Sequence, residues 1–205
     1  LTRYESAITS IAYSPDGQYV AASNTDGMVI IWSTNTGEHV LNLESHPHRR
    51  IRDISYSPDG NQLVTASSDK TAKVWDISTG KNIHLLSGHE DRVLSVAYRQ
   101  DGQQIATGSS DGTVRLWNAL TGNCERTFKC HQEWVREVTY TPDQAQLITG
   151  GGDGTIRIWN PKTGDRIRII DDRVCAGLNI TDSSGLSSGQ RTALKLMGAI
   201  DHNDE

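Results

Sequence analysis

Ser110-Asp111-Gly112-Thr113-Val114-Arg115-Leu116-Trp117-Asn118 holds the pattern that decides the architecture. An Asp-Gly turn opens it. A run that alternates apolar and polar side chains then ends on tryptophan, as a half-buried strand does. The same Asp-x5-Trp spacing returns at Asp26…Trp32, Asp69…Trp75 and Asp153…Trp159, with steps of 43, 42 and 42 residues between tryptophans. Four tryptophans in register, in a chain with only five, are not an accident of composition. A period in the low forties, built from short strand-like runs and turn residues, is the signature of stacked four-stranded blades.

Around this cassette the third repeat reads as a complete meander. Strands are expected over 92–98, 103–109, 113–118 and 124–129, with turns at Asp101-Gly102, Asp111-Gly112 and Thr121-Gly122. Asp-Gly between β-branched runs is a strong hairpin signal. Pro-Asp-Gly recurs at 15–17 and 58–60, and Pro142-Asp143-Gln144 is a variant of it. The fold class is therefore all-β: four blades, each a four-stranded antiparallel sheet, at about 1–44, 45–87, 88–129 and 130–171. After residue 171 the period is lost, so 172–205 is expected to be an extension. Ser187 and Gln190 have capping-box spacing and precede Leu194, Leu196 and Met197, which predicts a short helix near 188–197. The last residues, 201–205, are expected to be disordered.

The charge balance points away from several functions. Formal net charge is −5, with 20 basic and 25 acidic residues in no long run of one sign. No basic stripe suggests nucleic acid. No apolar run is long enough to span a membrane, and no signal segment opens the chain. Cys124, Cys130 and Cys175 lack metal-ligand spacing, and their odd number suits a reducing, cytoplasmic compartment. The chain opens at Leu1 rather than Met, which predicts that it is a piece of something longer.

Gly88-His89, Trp75-Asp76 and the repeated Thr-Gly turns resemble the WD-repeat family of β-propellers over about four fifths of the chain. The resemblance implies a buried hydrogen-bonded set of His, Thr, Asp and Trp in each blade. Matched by position, these are His46, Thr65, Asp69 and Trp75, then His89, Thr107, Asp111 and Trp117, then His131, Thr149, Asp153 and Trp159. Ser109 is the competing hydroxyl in repeat three. Repeat one departs from the pattern, with Tyr4 in the His place and Ala22 in the Thr place, so its set is expected to be incomplete. These residues share the composition of a catalytic triad, but they recur in each blade whereas an active site is normally single. The family commonly closes seven blades, roughly 290 residues at this period. Four blades therefore form a partial ring. It can be completed by upstream blades, by a second chain in trans, or by closing on itself. The tail, from Gly185-Leu186-Ser187 to Gly198-Ala199, resembles the end of large bacterial multidomain proteins, often signalling proteins.

Propellers of this kind bind partners on the face that carries the turn between second and third strands. Just after the His place stand Arg50, Arg92 and Trp134, with Ala7 in repeat one; two positions on stand Thr9, Arg52, Leu94 and Arg136. Ser68, Ser110 and Gly152 complete this set of loop positions. An exposed tryptophan among arginines has the composition of a binding hot spot. Trp134, Arg92, Arg50, Arg52, Arg136 and Ser110 are thus the candidate partner-binding residues. Arg49 and His48 extend the basic cluster, which suits an acidic or phosphorylated peptide. His46-x-His48 lacks a third metal ligand, so no metal and no cofactor is expected. Asn179-Ile180-Thr181 fits a glycosylation pattern, but nothing supports secretion. The glycines of 150–154 precede a strand and so lack a helix N-terminus to cradle phosphate. No isolated carboxylate pair and no reactive cysteine stands out. The reading is a non-enzymatic scaffold or sensor module, within a larger bacterial signalling protein, that binds a protein or peptide. Self-association through open blade edges is expected as well, with no nucleic-acid or membrane partner. The alternatives are a purely structural or oligomerisation arc, or a propeller enzyme with a channel site.

Overall fold

A computed structural model of the chain describes residues 6–171. Each repeat folds as its own antiparallel sheet. The first holds β1 (Ile8–Tyr13), β2 (Tyr19–Asn24), β3 (Met28–Ser33) and β4 (His39–Glu44). The second holds β5 (Ile51–Tyr56), β6 (Gln62–Ser67), β7 (Ala72–Asp76) and β8 (Lys81–Leu86). The third holds β9 (Val93–Tyr98), β10 (Gln104–Ser109), β11 (Thr113–Asn118) and β12 (Cys124–Lys129). The fourth holds β13 (Val135–Tyr140), β14 (Leu147–Gly151), β15 (Ile156–Trp159) and β16 (Arg166–Ile170). Among the described residues there is no helix, in keeping with the all-β expectation. Tyr4, Cys175, Asn179 and the segment 188–197 lie outside the described residues.

The turns follow from residue chemistry. Gly17, Gly60 and Gly102 have φ of +71°, +74° and +72° between first and second strands, a region that suits glycine. Gln144 takes the equivalent place in the fourth sheet at φ +60°, so that turn keeps its shape at some strain.

The apolar core lies between sheets. Strands two to four of one sheet pack against the first two strands and the tryptophan of the next. Ala21, Val29, Ile31 and Leu43 thus meet Ile51, Ile54, Leu63 and Trp75. Val64, Ala66, Val74 and Leu86 meet Val93, Val96, Ile105 and Trp117. Ala106, Val114 and Leu116 meet Val135, Val138, Leu147 and Trp159. Each fully buried valine, leucine or isoleucine among them contributes about 1.5–3 kcal/mol. The third and fourth sheets approach so closely at Gly108 that a Cβ there would lie 2.8 Å from methyl groups of both Val135 and Val138. This stacking sets β1, β5, β9 and β13 side by side as the inner strands.

A polar lock fastens sheets two to four. In the third, His89 Nδ1 meets Asp111 Oδ2 at 3.0 Å and Nε2 meets Thr107 Oγ1 at 2.8 Å, while Trp117 Nε1 donates to the same oxygen at 2.9 Å. His46, Asp69, Thr65 and Trp75 repeat the arrangement, with 2.7, 2.8 and 3.2 Å contacts. So do His131, Asp153, Thr149 and Trp159, at 2.9, 2.8 and 2.9 Å. Ser109 serves elsewhere: its Oγ donates to the Asp91 carbonyl and accepts from the Asp111 N–H. The aspartates also take hydroxyls that the sequence reading overlooked. Thr71, Thr113 and Thr155 donate to Asp69, Asp111 and Asp153 at 2.7, 2.6 and 2.7 Å. In the first sheet Ala22 replaces the threonine, and Asn24 Oδ1 holds the turn by accepting from the Asp26 and Met28 N–H groups.

Burial alone would raise the Asp111 pKa, but hydrogen bonds from His89, Thr113 and the Thr113 and Glu90 amides outweigh it and hold the carboxyl below 3.8. A depressed folded value means stability that is fully present above the unfolded pKa and lost as pH falls through the folded one. Asp111→Asn should therefore lower unfolding free energy at pH 7 by about 1–3 kcal/mol. The gap to wild type should narrow only below pH 3.8. Urea titrations across pH measure both; a gap unchanged into strong acid would contradict the assignment.

Candidate functional site

The inner strands begin at one mouth, and their register decides what faces it. Arg50 and Arg52 flank the start of β5, Arg92 and Leu94 that of β9, and Trp134 and Arg136 that of β13. Alternate residues of a strand face the same way, so each pair presents to one side. A single backbone bond fixes the neighbouring loop in three blades. Ser68 N donates to the Arg50 carbonyl at 2.9 Å, Ser110 N to that of Arg92 at 2.8 Å, and Gly152 N to that of Trp134 at 2.9 Å.

The result is a pocket of about 360 Å³ lined by Arg52, Arg92, Leu94, Ser110, Trp134 and Arg136. A second pocket, of about 240 Å³, shares Arg52, Leu94 and Arg136 and adds Arg50, Thr9, Ser10, Asp53 and Glu137. The structure thus brings together all six residues singled out by repeat position. Arg49 and His48 line neither pocket.

Trp134 remains 47% exposed. Its indole lies against Gly152, where a Cβ would come within 2.3 Å of the ring. Serines occupy that loop position in the two blades that carry arginine instead, at Ser68 and Ser110. Ser68 Oγ accepts from Arg52 Nε at 2.7 Å. Glycine is therefore what lets the aromatic ring lie flat in the fourth blade.

Beneath the mouth, a carboxylate pair corrects the sequence reading. Ser95 Oγ stands between Asp53 Oδ2, at 3.1 Å, and Glu137 Oε1, at 3.0 Å. Asp53 also accepts from Ser10 Oγ and from the Val96 N–H. Ser95 Oγ in turn accepts from the Val138 N–H at 3.2 Å. Burial first, and then the Asp53 charge, raise the Glu137 pKa, against hydrogen bonding by Ser95 and the charge of Arg136. Asp53 and Glu137 are remote in sequence and meet because Ser10, Asp53, Ser95 and Glu137 hold the same register on adjacent inner strands. The pair is occupied in tying those strands together. Among the described residues, no group of three or more His, Cys, Asp or Glu is placed to hold a metal. No helix among them is long and apolar enough to cross a membrane.

Family models match the chain in two stretches. Residues 1–33 match the WD domain, G-beta repeat, and residues 50–191 match the IFT122 first beta-propeller. The chain belongs to the WD-repeat β-propeller family. Curated proteins show no match to it. WD-repeat propellers generally mediate protein–protein interaction and are generally non-enzymatic scaffolds. In this WD-repeat chain the mouth combines a rigid repeating frame with side chains that differ from blade to blade.

Gly152→Ser should push the Trp134 indole off its seat and leave the fold within about 0.5 kcal/mol of wild type, as surface substitutions usually do. Acrylamide quenching, with Trp134→Phe subtracted to isolate this ring, should show greater accessibility. Unchanged quenching would refute the packing.

Proposed function

We propose that this chain is a non-enzymatic interaction module, a scaffold or sensor that binds a protein or peptide at the arginine and tryptophan mouth. The carrying observation is Trp134, half-exposed and flanked in one pocket by Arg92 and Arg136, all three at the starts of inner strands. A large aromatic with few rotatable bonds, beside planar cations, supplies contact area at low entropic cost. Residues 1–171 form the binding body in this reading, and 172–205 an extension. The tail's resemblance supports a setting in a larger bacterial signalling protein, and the unpaired cysteines support the cytoplasm. Trp134→Ala and Arg92→Ala should each weaken capture of the partner by about tenfold or more, the hot-spot range. Melting curves should stay unchanged. Wild-type affinity in both variants would count against this face.

One observation favours a second reading, association through open blade faces. Ile8, Ile11 and Tyr13 are 46%, 65% and 65% exposed, whereas their counterparts Ile51, Ile54 and Tyr56 are 0%, 5% and 8% exposed. At the other end Ile156 is 45% exposed, whereas its counterpart Val114 is fully buried. Each open face carries the residues that elsewhere pack blade on blade, so the two are complementary in a head-to-tail sense. Sedimentation of the 205-residue chain should show a concentration-dependent dimer that Ile11→Asp dissociates. A monomer at all concentrations would exclude this mode.

A further inference from the structure

The mouth concentrates positive charge on a chain whose formal net charge is −5. Arg50 and Arg52 come from the second blade, Arg92 from the third and Arg136 from the fourth, around two contiguous pockets. Elsewhere, arginine near carboxylate forms ion pairs, Arg99 with Asp101 and Arg157 with Asp153. Among the described residues, none of the four mouth arginines has a carboxylate within ion-pair distance. Asp53 and Glu137, the acids nearest in register, are already engaged by Ser10, Ser95 and the Val96 amide. Burial, and then the charges of Arg50, Arg92 and Arg136, lower the Arg52 pKa. Like charges gathered in a concave, partly dry site focus the field outward, toward an anion.

The chemistry of these groups narrows the ligand. A guanidinium fork matches the paired oxygens of carboxylate and phosphate. Four forks spread over three blades suit several anionic groups rather than one. Trp134 and Leu94 line the same pocket and offer an apolar wall that a bare ion would not use. A nucleic-acid backbone calls for a stripe of cations along a surface, but these are gathered in a recess on an acidic chain.

Resting on the mouth as the binding face, we infer that its occupant is an extended peptide segment with clustered anionic side chains. Phosphorylated residues or neighbouring Asp and Glu would supply them. The guanidiniums hold the charges while an adjoining apolar side chain lies on Trp134.

A labelled peptide, Gly-Gly-Ser-Leu-Ser-Gly-Gly, tests this by fluorescence anisotropy in three forms. One has both serines phosphorylated, one has both replaced by glutamate, and one is unmodified. At least one charged form should bind about tenfold or more tighter than the unmodified form, the scale of one or two charge-assisted hydrogen bonds. Which form binds identifies the source of the charge. Arg92→Gln and Arg136→Gln should each weaken that form about tenfold and lessen its salt dependence. Arg166→Gln, on an outer strand, should change nothing. If all three forms bind equally and Trp134→Ala still weakens them, the anion inference falls and the peptide-binding face stands. Binding by none of the three overturns the anion inference, and a captured partner that still depends on Trp134 would show the face intact. A single-stranded oligonucleotide that binds tighter than every peptide overturns it in favour of nucleic acid.

Discussion

One buried threonine hydroxyl in each of three blades joins the parts that every other feature depends on. In the fourth blade, burial above all holds His131 below the ordinary histidine value of 6.5, so the ring is neutral at pH 7. Its Nδ1 faces the Asp153 carboxylate, which can only accept, so the proton sits there and Nε2 is bare. Thr149 must then donate to Nε2 and accept from the Trp159 indole. The bonds run one way, from tryptophan to threonine to histidine to aspartate, and leave none of these groups unmatched. An unmatched buried donor costs about 1–3 kcal/mol, so the lock tolerates few substitutions. It ties the third strand to the link that enters each sheet, and so sets where the next inner strand starts.

That placement separates frame from function. Backbone bonds from Ser68, Ser110 and Gly152 to the carbonyls of Arg50, Arg92 and Trp134 are the same in three blades. The side chains at these positions are free to differ because the backbone carries the geometry. Repetition supplies rigidity, and variation at the strand starts supplies a single, unrepeated mouth.

Much of this is legible in the sequence because the period fixes register. Counting from one tryptophan to the next places the sixteen strands of the described residues in order, and it places Arg50, Arg92 and Trp134 at equivalent sites. Counting also picks Thr107 over Ser109, and the donor distances agree. The period does not show what crosses the gap between blades. Asp53 and Glu137 look like ordinary strand carboxylates until Ser95 is seen between them. The hydroxyls of Thr71, Thr113 and Thr155 do leave a signal, a threonine two places after each turn aspartate, inside the Asp-to-Trp spacing. The role of Gly152 was hidden because its neighbours make it read as part of a glycine-rich turn.

The seat beneath Trp134 has an evolutionary consequence. An indole can lie flat at a strand start only where the adjoining loop lacks a Cβ, so the aromatic and the glycine form an epistatic pair. Installing tryptophan at Arg50 or Arg92 would meet Ser68 or Ser110 in its way, and losing those serines first would strip a partner from Arg52 in the second blade. Moving the aromatic to the second blade therefore means giving up the Arg52–Ser68 bond first or changing both codons together. The blade that carries the anchor should be slow to shift, even while the arginines around it drift one at a time.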